Sequence, residues 1–161
     1  MAEQFGPNKE DLEKIVDESY ILYKTGDYEK AIDKLNYVLD KNPQHACAYL
    51  YLGICHFELQ EYDKALRDFN DCLGLDKAQD TAYLYKGRIL YTRNDFDNAL
   101  KELNQAIRYN SGNHEAWNER GRCQFLLRNF KDALHSFQKS ASFCKKEATY
   151  QSNVGLTLTK L

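Results

Sequence analysis

The sequence predicts an all-α chain in which antiparallel helix pairs stack one after another as a solenoid. The first observation is a period of 34 residues, which small residues keep in two columns. These columns are Gly53, Gly87, Gly121 and Gly155, and Ala31, Ala65, Ala99 and Ala133. Two aromatic columns share the period: Tyr23, Phe57, Tyr91 and Phe125, and Tyr28, Tyr62, Phe96 and Phe130. The third observation is that only 8 Gly and 2 Pro occur among 161 residues, which suits helices better than the many turns of a β-sandwich.

The period divides the chain into consecutive units when each glycine is taken as position 8 of its unit. The four complete units are 12–45, 46–79, 80–113 and 114–147. Residues 1–11 form a lead-in, and residues 148–161 form the first helix of a fifth, truncated unit or a cap. Because Gly155 stays in frame within a stretch that is not very polar, we expect the piece to continue into a longer array. A natural stop codon after Leu161 would contradict that expectation.

Each complete unit is predicted to hold two helices joined by a short polar turn. In 46–59 and again in 62–75, apolar residues recur at three- and four-residue spacing. Turn residues separate such stretches at 25–27 and 94–95. Asp27, Asp95 and Asn129 stand where they would cap the second helices, and Pro43 is a helix stop at the end of the first unit.

The columns of small residues have a steric explanation. Glycine at position 8 and alanine at position 20 let the two helices of one pair approach closely, because a larger side chain would push the backbones apart. We expect Phe69, Leu103 and Phe137, at position 24, to fill the space between neighbouring pairs. No single pair can bury its apolar face alone, so stacking is required.

Composition excludes several classes of protein. Apolar residues make up 43% of the chain, which is too many for a disordered chain, yet no apolar run is long enough to span a membrane. The net charge of −2 argues against nucleic-acid binding, which needs a surplus of Lys and Arg. The 5 Cys form no CxxC pair, and the N-terminus does not resemble a secretory signal, so we expect a reducing compartment and a cytoplasmic protein.

The sequence shows no catalytic motif, and we expect no enzyme activity, no cofactor and no metal site. It has no phosphate loop, GxSxG or HExxH. His56 is interpreted as a packed histidine, whereas His45 and His114 are expected to be exposed. Packing roles are assigned to three thiols, those of Cys55, Cys72 and Cys123. Cys47 would be reactive only if nearby charge lowered its pKa, and no such charge is evident.

The repeated unit resembles the tetratricopeptide repeat, whose pattern is Trp-x2-Leu-Gly-x2-Tyr followed by Ala-x3-Phe. Trp117 holds the Trp position, and Leu52-Gly53 matches the Leu-Gly pair. Ala65 with Phe69 and Ala133 with Phe137 match the Ala-x3-Phe element. The resemblance covers roughly residues 10–161 and implies a right-handed superhelix. It also implies a concave groove, lined by the first helix of each unit, that binds protein or peptide segments.

Groove positions transferred from the family give a set of candidate site residues. They are Tyr20, Tyr23, Leu50, Tyr51, Ile54, Phe57, Leu84, Tyr85, Arg88, Tyr91, Asn118, Arg122 and Phe125. The aromatic and aliphatic members either form an exposed stripe for a partner or pack between repeats. Arg88 and Arg122 either anchor a carboxylate or phosphate of a ligand or pair internally with Glu115 and Glu119.

Second helices carry mixed charges that we interpret as a solvated face. They are Lys30, Asp33, Lys34, Lys64, Arg67, Asp68, Lys101, Glu102, Asp132 and Lys139. The Lys, Asn and Arg clamp with which some family members grip chaperone C-terminal tails has no match in any frame. In the first frame its positions hold Val16, Tyr20, Tyr51, Thr81 and Tyr85. A chaperone-tail adaptor is therefore not expected.

Two functions follow as hypotheses from the resemblance. The first is a non-catalytic scaffold that binds a partner peptide or helix in the groove. The alternative is an architectural segment of a larger assembly, such as a ciliary, transport or ubiquitin-linked complex. In that case the contacts are made through edges and ends, including end-to-end self-association.

Overall fold

Residues 8–144 and 148–160 are described by the structure, a computed structural model, with only the backbone given for 148–150. Within these ranges the regular elements are all helices. They are α1 (Lys9–Thr25), α2 (Tyr28–Lys41), α3 (Ala46–Glu58), α4 (Tyr62–Leu75), α5 (Asp80–Thr92), α6 (Phe96–Tyr109), α7 (His114–Leu126), α8 (Phe130–Phe143) and α9 (Ala148–Leu158). The predicted all-α class with two helices in each complete unit is confirmed.

The chain divides into two compact units, Met1–Lys77 and Ala78–Leu161. In the first unit, α1 packs on α2, α2 on α3, and α3 on α4. In the second, α5 to α9 pack in the same successive way. The first helices of neighbouring pairs also contact each other directly, α1 with α3 and α5 with α7. Each unit therefore has a layer made of first helices.

The turn inside each helix pair repeats one backbone geometry. Its central residue is Gly26, Gln60, Asn94 or Arg128, with φ values of 85°, 61°, 59° and 62°. In the first turn, the Gly26 N–H donates to Tyr23 O at 3.1 Å, and the Asp27 N–H donates to Leu22 O at 2.9 Å. The other three turns have the same two bonds. This pair of hydrogen bonds is the Schellman motif, which satisfies the last carbonyl groups of a helix and needs a residue in the left-handed backbone conformation.

The predicted capping residues all lie directly before a second helix. Asp95 accepts a hydrogen bond from the Asn98 backbone N–H at 3.3 Å, so it acts as a side-chain cap. Asp27 and Asn129 occupy the same position, but their side chains accept no capping bond. The Schellman bonds already hold these turns, so the position of the helix start does not depend on the side-chain cap.

Glycine at position 8 is covered by the second helix of its own pair. A Cβ atom on Gly53 would lie 2.7 Å from a ring carbon of Phe69, and one on Gly121 would lie 2.6 Å from Phe137. Gly87 meets Leu103 in the same way. We expected these position-24 side chains to fill the space between neighbouring pairs. The structure places them directly on the glycine within the pair, where they set the closest approach of its two helices. Leu103 also lies in a core cluster with Ala116 and Cys123 of the next pair, as expected.

Candidate functional site

A cluster of tyrosines lies on the first helices of the first unit. Tyr20 on α1 and Tyr51 on α3 have ring centroids 5.3 Å apart, and the Tyr20 and Tyr23 centroids lie 6.1 Å apart. The Lys24 ammonium lies 5.3 Å and 5.2 Å from the centroids of Tyr20 and Tyr23. Tyr20 is 39% exposed, and Tyr51 and Tyr23 are half-buried. We call Tyr20, Tyr23 and Tyr51 the tyrosine cluster.

Four apolar or aromatic candidate residues are buried in the structure, and so is Asn118, at 8% exposure. Exposed fractions are 7% for Leu50, 4% for Ile54, 4% for Leu84 and 9% for Tyr85. Leu84 packs in a core cluster with Leu103 and other residues of α6 and α7. For these four side chains the alternative of structural packing therefore fits better than an exposed stripe. Sequence position alone did not distinguish the two, because a first-helix side chain can point toward solvent or toward a neighbouring helix.

An ionic chain of four residues joins α5 and α7 in the second unit. Arg88 Nη2 donates to Glu115 Oε2 at 2.5 Å, and Arg88 Nε lies 3.5 Å from Glu119 Oε1. Arg122 Nη1 donates to the other oxygen of Glu119 at 2.7 Å. Glu119 is only 7% exposed, and a buried carboxylate is costly unless it is paired. The two guanidinium groups supply that pairing. The internal pairing that the sequence left open is present.

Both arginines remain charged despite their burial. Desolvation alone would lower the pKa of Arg88, but the carboxylates of Glu119 and Glu115 outweigh it, so the pKa lies above its usual value. For Arg122, desolvation is likewise outweighed by Glu119 and by Tyr91, and its pKa is also raised. The side chain of Arg122 is 43% exposed, whereas that of Arg88 is 24% exposed. Arg122 is therefore the more accessible of the two arginines in this ionic chain.

Of the remaining candidate residues, Tyr91, Asn118 and Phe125 belong to the second unit with Arg122, and Phe57 belongs to the first. The guanidinium carbon of Arg122 is 4.5 Å from the Tyr91 ring centroid, a cation–π distance. Phe125, one helical turn further along α7, packs against Phe130 with ring centroids 5.3 Å apart. Asn118 accepts a hydrogen bond from Asn153 Nδ2 of α9 at 2.9 Å. In the first unit Phe57 packs on Tyr62, with centroids 5.7 Å apart.

Two second-helix charges expected to be solvated, Asp68 and Glu102, are largely buried and pair with the first helix of their own unit. Asp68 is 9% exposed, and its Oδ2 lies 2.6 Å from His56 Nδ1. Burial raises the pKa of the Asp68 carboxyl, although the hydrogen bond to His56 acts in the opposite direction. Lys34 pairs with Glu18 at 2.7 Å and Glu102 with Lys86 at 3.1 Å. The missed signal was a polar residue at position 7 or 11 facing a polar residue at position 23.

The histidine expectations are partly corrected. His56 is a packed histidine as predicted, because its side chain is 12% exposed and engaged with Asp68. His45 was expected to be exposed but is 8% exposed. Its Nδ1 accepts the Ala48 backbone N–H at 3.2 Å, so the ring caps α3 and is held against the helix. His114 is half-buried at the start of α7.

The cysteines behave as packing residues. Cys55, Cys72 and Cys123 are fully buried, and desolvation raises the pKa of each thiol to about 12. Cys47 is exposed, but partial desolvation and the carboxylates of Glu13 and Asp76 raise the pKa of its thiol as well. None of these four thiols is activated as a nucleophile at neutral pH.

The described residues contain neither a cluster of metal ligands nor a helix that could span a membrane. Within residues 8–144 and 148–160, no group of three or more His, Cys, Asp or Glu side chains is arranged to hold a metal ion. No helix in the same ranges has both the length and the apolar character that a membrane span requires.

Comparison with sequence families gives a clear match. A model of the tetratricopeptide repeat matches residues 16–79 and 84–147, which together make up most of the chain. The second match begins two 34-residue periods after the first, in agreement with the glycine and alanine columns. Comparison with curated proteins gave no match.

Solved structures with the same architecture come from several proteins. A structure of PilF from Pseudomonas aeruginosa has a TM-score of 0.85 at 17% identity, covering 92% of this chain and 68% of that one. YrrB, described as a tetratricopeptide repeat protein with an unusual peptide-binding site, has a TM-score of 0.73 at 22% identity, covering 94% and 78%. The Cut9–Hcn1 hetero-tetramer of the APC/C has a TM-score of 0.82 at 17% identity, covering 92% and 30%. At these identities the likeness shows the fold.

Proposed function

Because the chain belongs to the tetratricopeptide repeat family, we propose that it is a non-catalytic protein-interaction scaffold that binds a partner peptide or helix on its first-helix face. The observation that carries the proposal is the tyrosine cluster of the first unit. Its rings are partly exposed on neighbouring first helices, where one partner segment can touch both.

The tyrosine cluster suits the recognition of a peptide. Each Tyr offers a large apolar surface and a polar tip, and it loses little rotamer entropy on binding. Tyr20 and Tyr51 come from two different helices, α1 and α3, so a ligand that covers both rings bridges two repeats. Lys24 beside two of the rings adds a cation that can receive a carboxylate or a backbone carbonyl of the ligand.

A protein of the same fold supports peptide binding as the proposed activity, although its description names no face. YrrB shares the fold and is described as having a peptide-binding site. The buried candidates Leu50, Ile54, Leu84 and Tyr85 then support the face from beneath and do not touch the ligand. The proposed contacts are made by the partly exposed candidates, which in the first unit are the tyrosine cluster and Phe57.

The test is a selection of random displayed peptides on the whole protein, followed by affinity measurements on the synthesised winners. We expect the double variant Tyr20→Ala with Tyr51→Ala to weaken binding by about tenfold or more, because buried aromatic anchors dominate such interfaces. Fluorescence anisotropy with labelled peptide gives the affinities, and circular dichroism checks that the helix content is unchanged.

Tyr37 provides the matched control. It is 44% exposed, lies on the second helix α2 and has a lysine 5.6 Å from its ring centroid, much as Tyr20 has. Tyr37→Ala is expected to leave the affinity unchanged. If Tyr37→Ala weakens binding as much as the double variant, or if the double variant binds normally, the first-helix face is not the binding surface.

A second candidate function is architectural and is favoured by one observation at α9. Gly155 occupies the position that a second helix covers in the complete pairs, yet no described atom lies within 4 Å of a Cβ built on it. In this second proposal, a helix of a partner or of another copy packs on this face of α9. The Cut9–Hcn1 structure has the same fold within a larger assembly. Light scattering over a concentration series tests self-association, and a mass that stays monomeric would contradict it.

A further inference from the structure

A cavity of about 150 Å³ lies in the second unit, between α7 and α9, at the C-terminal end of α5. Its lining consists of Tyr91, Arg122, Phe125, Leu126, Phe137, Asn153, Leu156 and Thr157. An apolar cavity of about this size in another protein is large enough to hold a benzene molecule. A single phenylalanine or leucine side chain of a ligand therefore fits the available volume.

Apolar side chains form most of the cavity wall. Phe137 is 3% exposed and rests on Gly121, so its ring is held firmly at the base. Leu126 and Leu156 are 50% and 53% exposed, although both are apolar. Half-exposed leucines that flank a cavity can be covered further by a ligand, which adds a favourable hydrophobic contribution.

Arg122 supplies the one charged group among the residues that line the cavity. Glu119 accepts one of its N–H groups at 2.7 Å, and the Tyr91 ring lies 4.5 Å from the guanidinium carbon. A guanidinium has five N–H donors in a planar fork, so bonding to one carboxylate oxygen leaves capacity for another acceptor. The two contacts also hold the group in place, which lowers the entropy lost on binding a ligand.

We propose that this cavity receives a phenylalanine- or leucine-sized side chain of a partner peptide, with a neighbouring carboxylate of that peptide bound to Arg122. The inference rests on the proposed function and deepens it, because it gives the chemistry of the ligand at the second unit. An acidic residue beside the apolar one, or the C-terminal carboxylate of an apolar residue, supplies the same pair of groups.

The hydrogen bond from Asn153 to Asn118 adds geometric definition to the site. It joins α9 to α7 at 2.9 Å on the cavity side, and Thr157 Oγ1 donates to Asn153 O at 2.7 Å. The bond between Asn153 and Asn118 fixes the spacing of the two helices that form opposite walls, whereas the Thr157 bond lies within α9. A partly preformed cavity of this kind binds with a smaller entropic cost than one that must open.

The experiment uses two small probes on the whole protein labelled with ¹⁵N. N-acetyl-L-phenylalanine carries the ring and the carboxylate, and N-acetyl-L-phenylalaninamide carries the ring alone. We expect saturable amide shifts at the lining residues, with a dissociation constant on the order of 1 mM for the acid. The acid is expected to bind about two- to fivefold more tightly than the amide, as for a partly exposed ion pair.

Arg122→Gln tests the charge in this assignment. The variant is expected to bind the two probes equally, because the cation that distinguishes them is gone. A higher salt concentration should also reduce the difference between the affinities of the unaltered protein for the acid and for the amide. Equal affinities for acid and amide in the unaltered protein would overturn the carboxylate part of the proposal.

Two leucines of α9 test the location. Leu156 lines the cavity at 53% exposure, whereas Leu158 is 54% exposed and is not part of the lining. Leu156→Asp is expected to abolish saturable binding of N-acetyl-L-phenylalanine, since its carboxylate would compete for Arg122 and repel the probe. Leu158→Asp should retain it. Loss of binding in both variants, or in neither, would overturn the assignment.

The failure of this inference is distinguishable from failure of the proposed function. The probe experiment reads only the second unit, whereas the peptide selection is judged by Tyr20 and Tyr51 in the first. If neither probe shifts the lining residues while Tyr20→Ala with Tyr51→Ala still weakens peptide binding as expected, the cavity assignment is wrong and the scaffold function stands. If the probes bind as expected and the double tyrosine variant has no effect on peptide binding, the cavity assignment stands and the proposed binding by the tyrosine cluster is wrong.

Discussion

At the scale of single residues, the glycine at position 8 is covered by a side chain of the second helix in some units and has no described atom near it in another. Gly53 and Gly121 each lie under an aromatic ring of the second helix, whereas Gly155 has no described atom within 4 Å of a would-be Cβ. A glycine in the middle of a helix is costly unless its missing side chain makes room for something. The covered glycines make room for a ring, and Gly155 does not within the described residues.

This difference predicts opposite effects for the same substitution. Gly121→Ala places a methyl group 2.6 Å from a ring carbon of Phe137, which is buried and cannot move aside, so we expect the free energy of unfolding to fall by about 1 to 3 kcal/mol. Gly155→Ala meets no such contact and should raise it by about 0.5 to 1 kcal/mol through helix propensity. Denaturant midpoints measure both, and changes of the same sign would contradict the steric account.

The residue scale is also where sequence reasoning was weakest. The period correctly identified which positions are small, because close approach of two helices tolerates few side chains. It did not identify which first-helix side chains are exposed. Ile54 was a candidate contact and is 4% exposed, whereas Tyr20 is 39% exposed on the same kind of position. Exposure depends on the distance and rotation of the neighbouring helices, which cannot be predicted from the sequence of a single unit.

At the scale of elements, the helix pairs share their geometry but differ in the polar contact that joins the two helices. Position 7 of a unit, which lies on its first helix, faces position 23, which lies on its second helix. Glu18 pairs with Lys34 at 2.7 Å, but Lys86 pairs with Glu102 at 3.1 Å, so the charges are reversed between units. In the fourth unit Arg120 Nε donates to Ser136 Oγ at 3.0 Å.

Reversal of charge within one pair provides a test at this scale. Lys86 and Glu102 are 16% and 24% exposed, so we expect Lys86→Glu to lower the free energy of unfolding by about 1 to 2 kcal/mol through the repulsion of two poorly solvated carboxylates. Adding Glu102→Lys should recover most of the loss, since it recreates the arrangement of the first unit. Thermal or denaturant unfolding gives both values.

The control for this test is an ion pair on the surface. Lys14 and Glu10 lie 3.3 Å apart but are 65% and 79% exposed, so their exchange should change stability by less than about 0.5 kcal/mol. A double Lys86→Glu with Glu102→Lys variant that stays as unstable as the single one would show that this contact does not join the two helices.

The sequence assigned Asp68 and Glu102 to a solvated face, but their side chains are only 12% and 24% exposed. A charged residue on an outer helix is usually solvated, so pattern alone favours exposure. Long side chains can instead lie along the apolar surface of the pair and place only the charged end near a partner. The pairing becomes predictable only when positions 7, 11 and 23 are considered together.

At the scale of the whole molecule, one repeated unit explains most of what the sequence predicted correctly. The period, the helix count of each complete unit and the family follow from four columns of residues, because stacked units must present the same small and aromatic positions to their neighbours. The binding surface follows less completely. The period places the candidates on first helices, but their contacts with one another, such as the ionic chain through Glu119, had to come from the structure.

The central claim is that a partner binds on the first helices, and backbone NMR of the ¹⁵N-labelled protein with a display-selected peptide tests it most directly. We predict that the largest amide shifts fall on α1, α3, α5, α7 and α9, with those near Tyr20, Tyr51 and Arg122 among them. Shifts confined to the second helices α2, α4, α6 and α8, with the first helices unchanged, would contradict the claim.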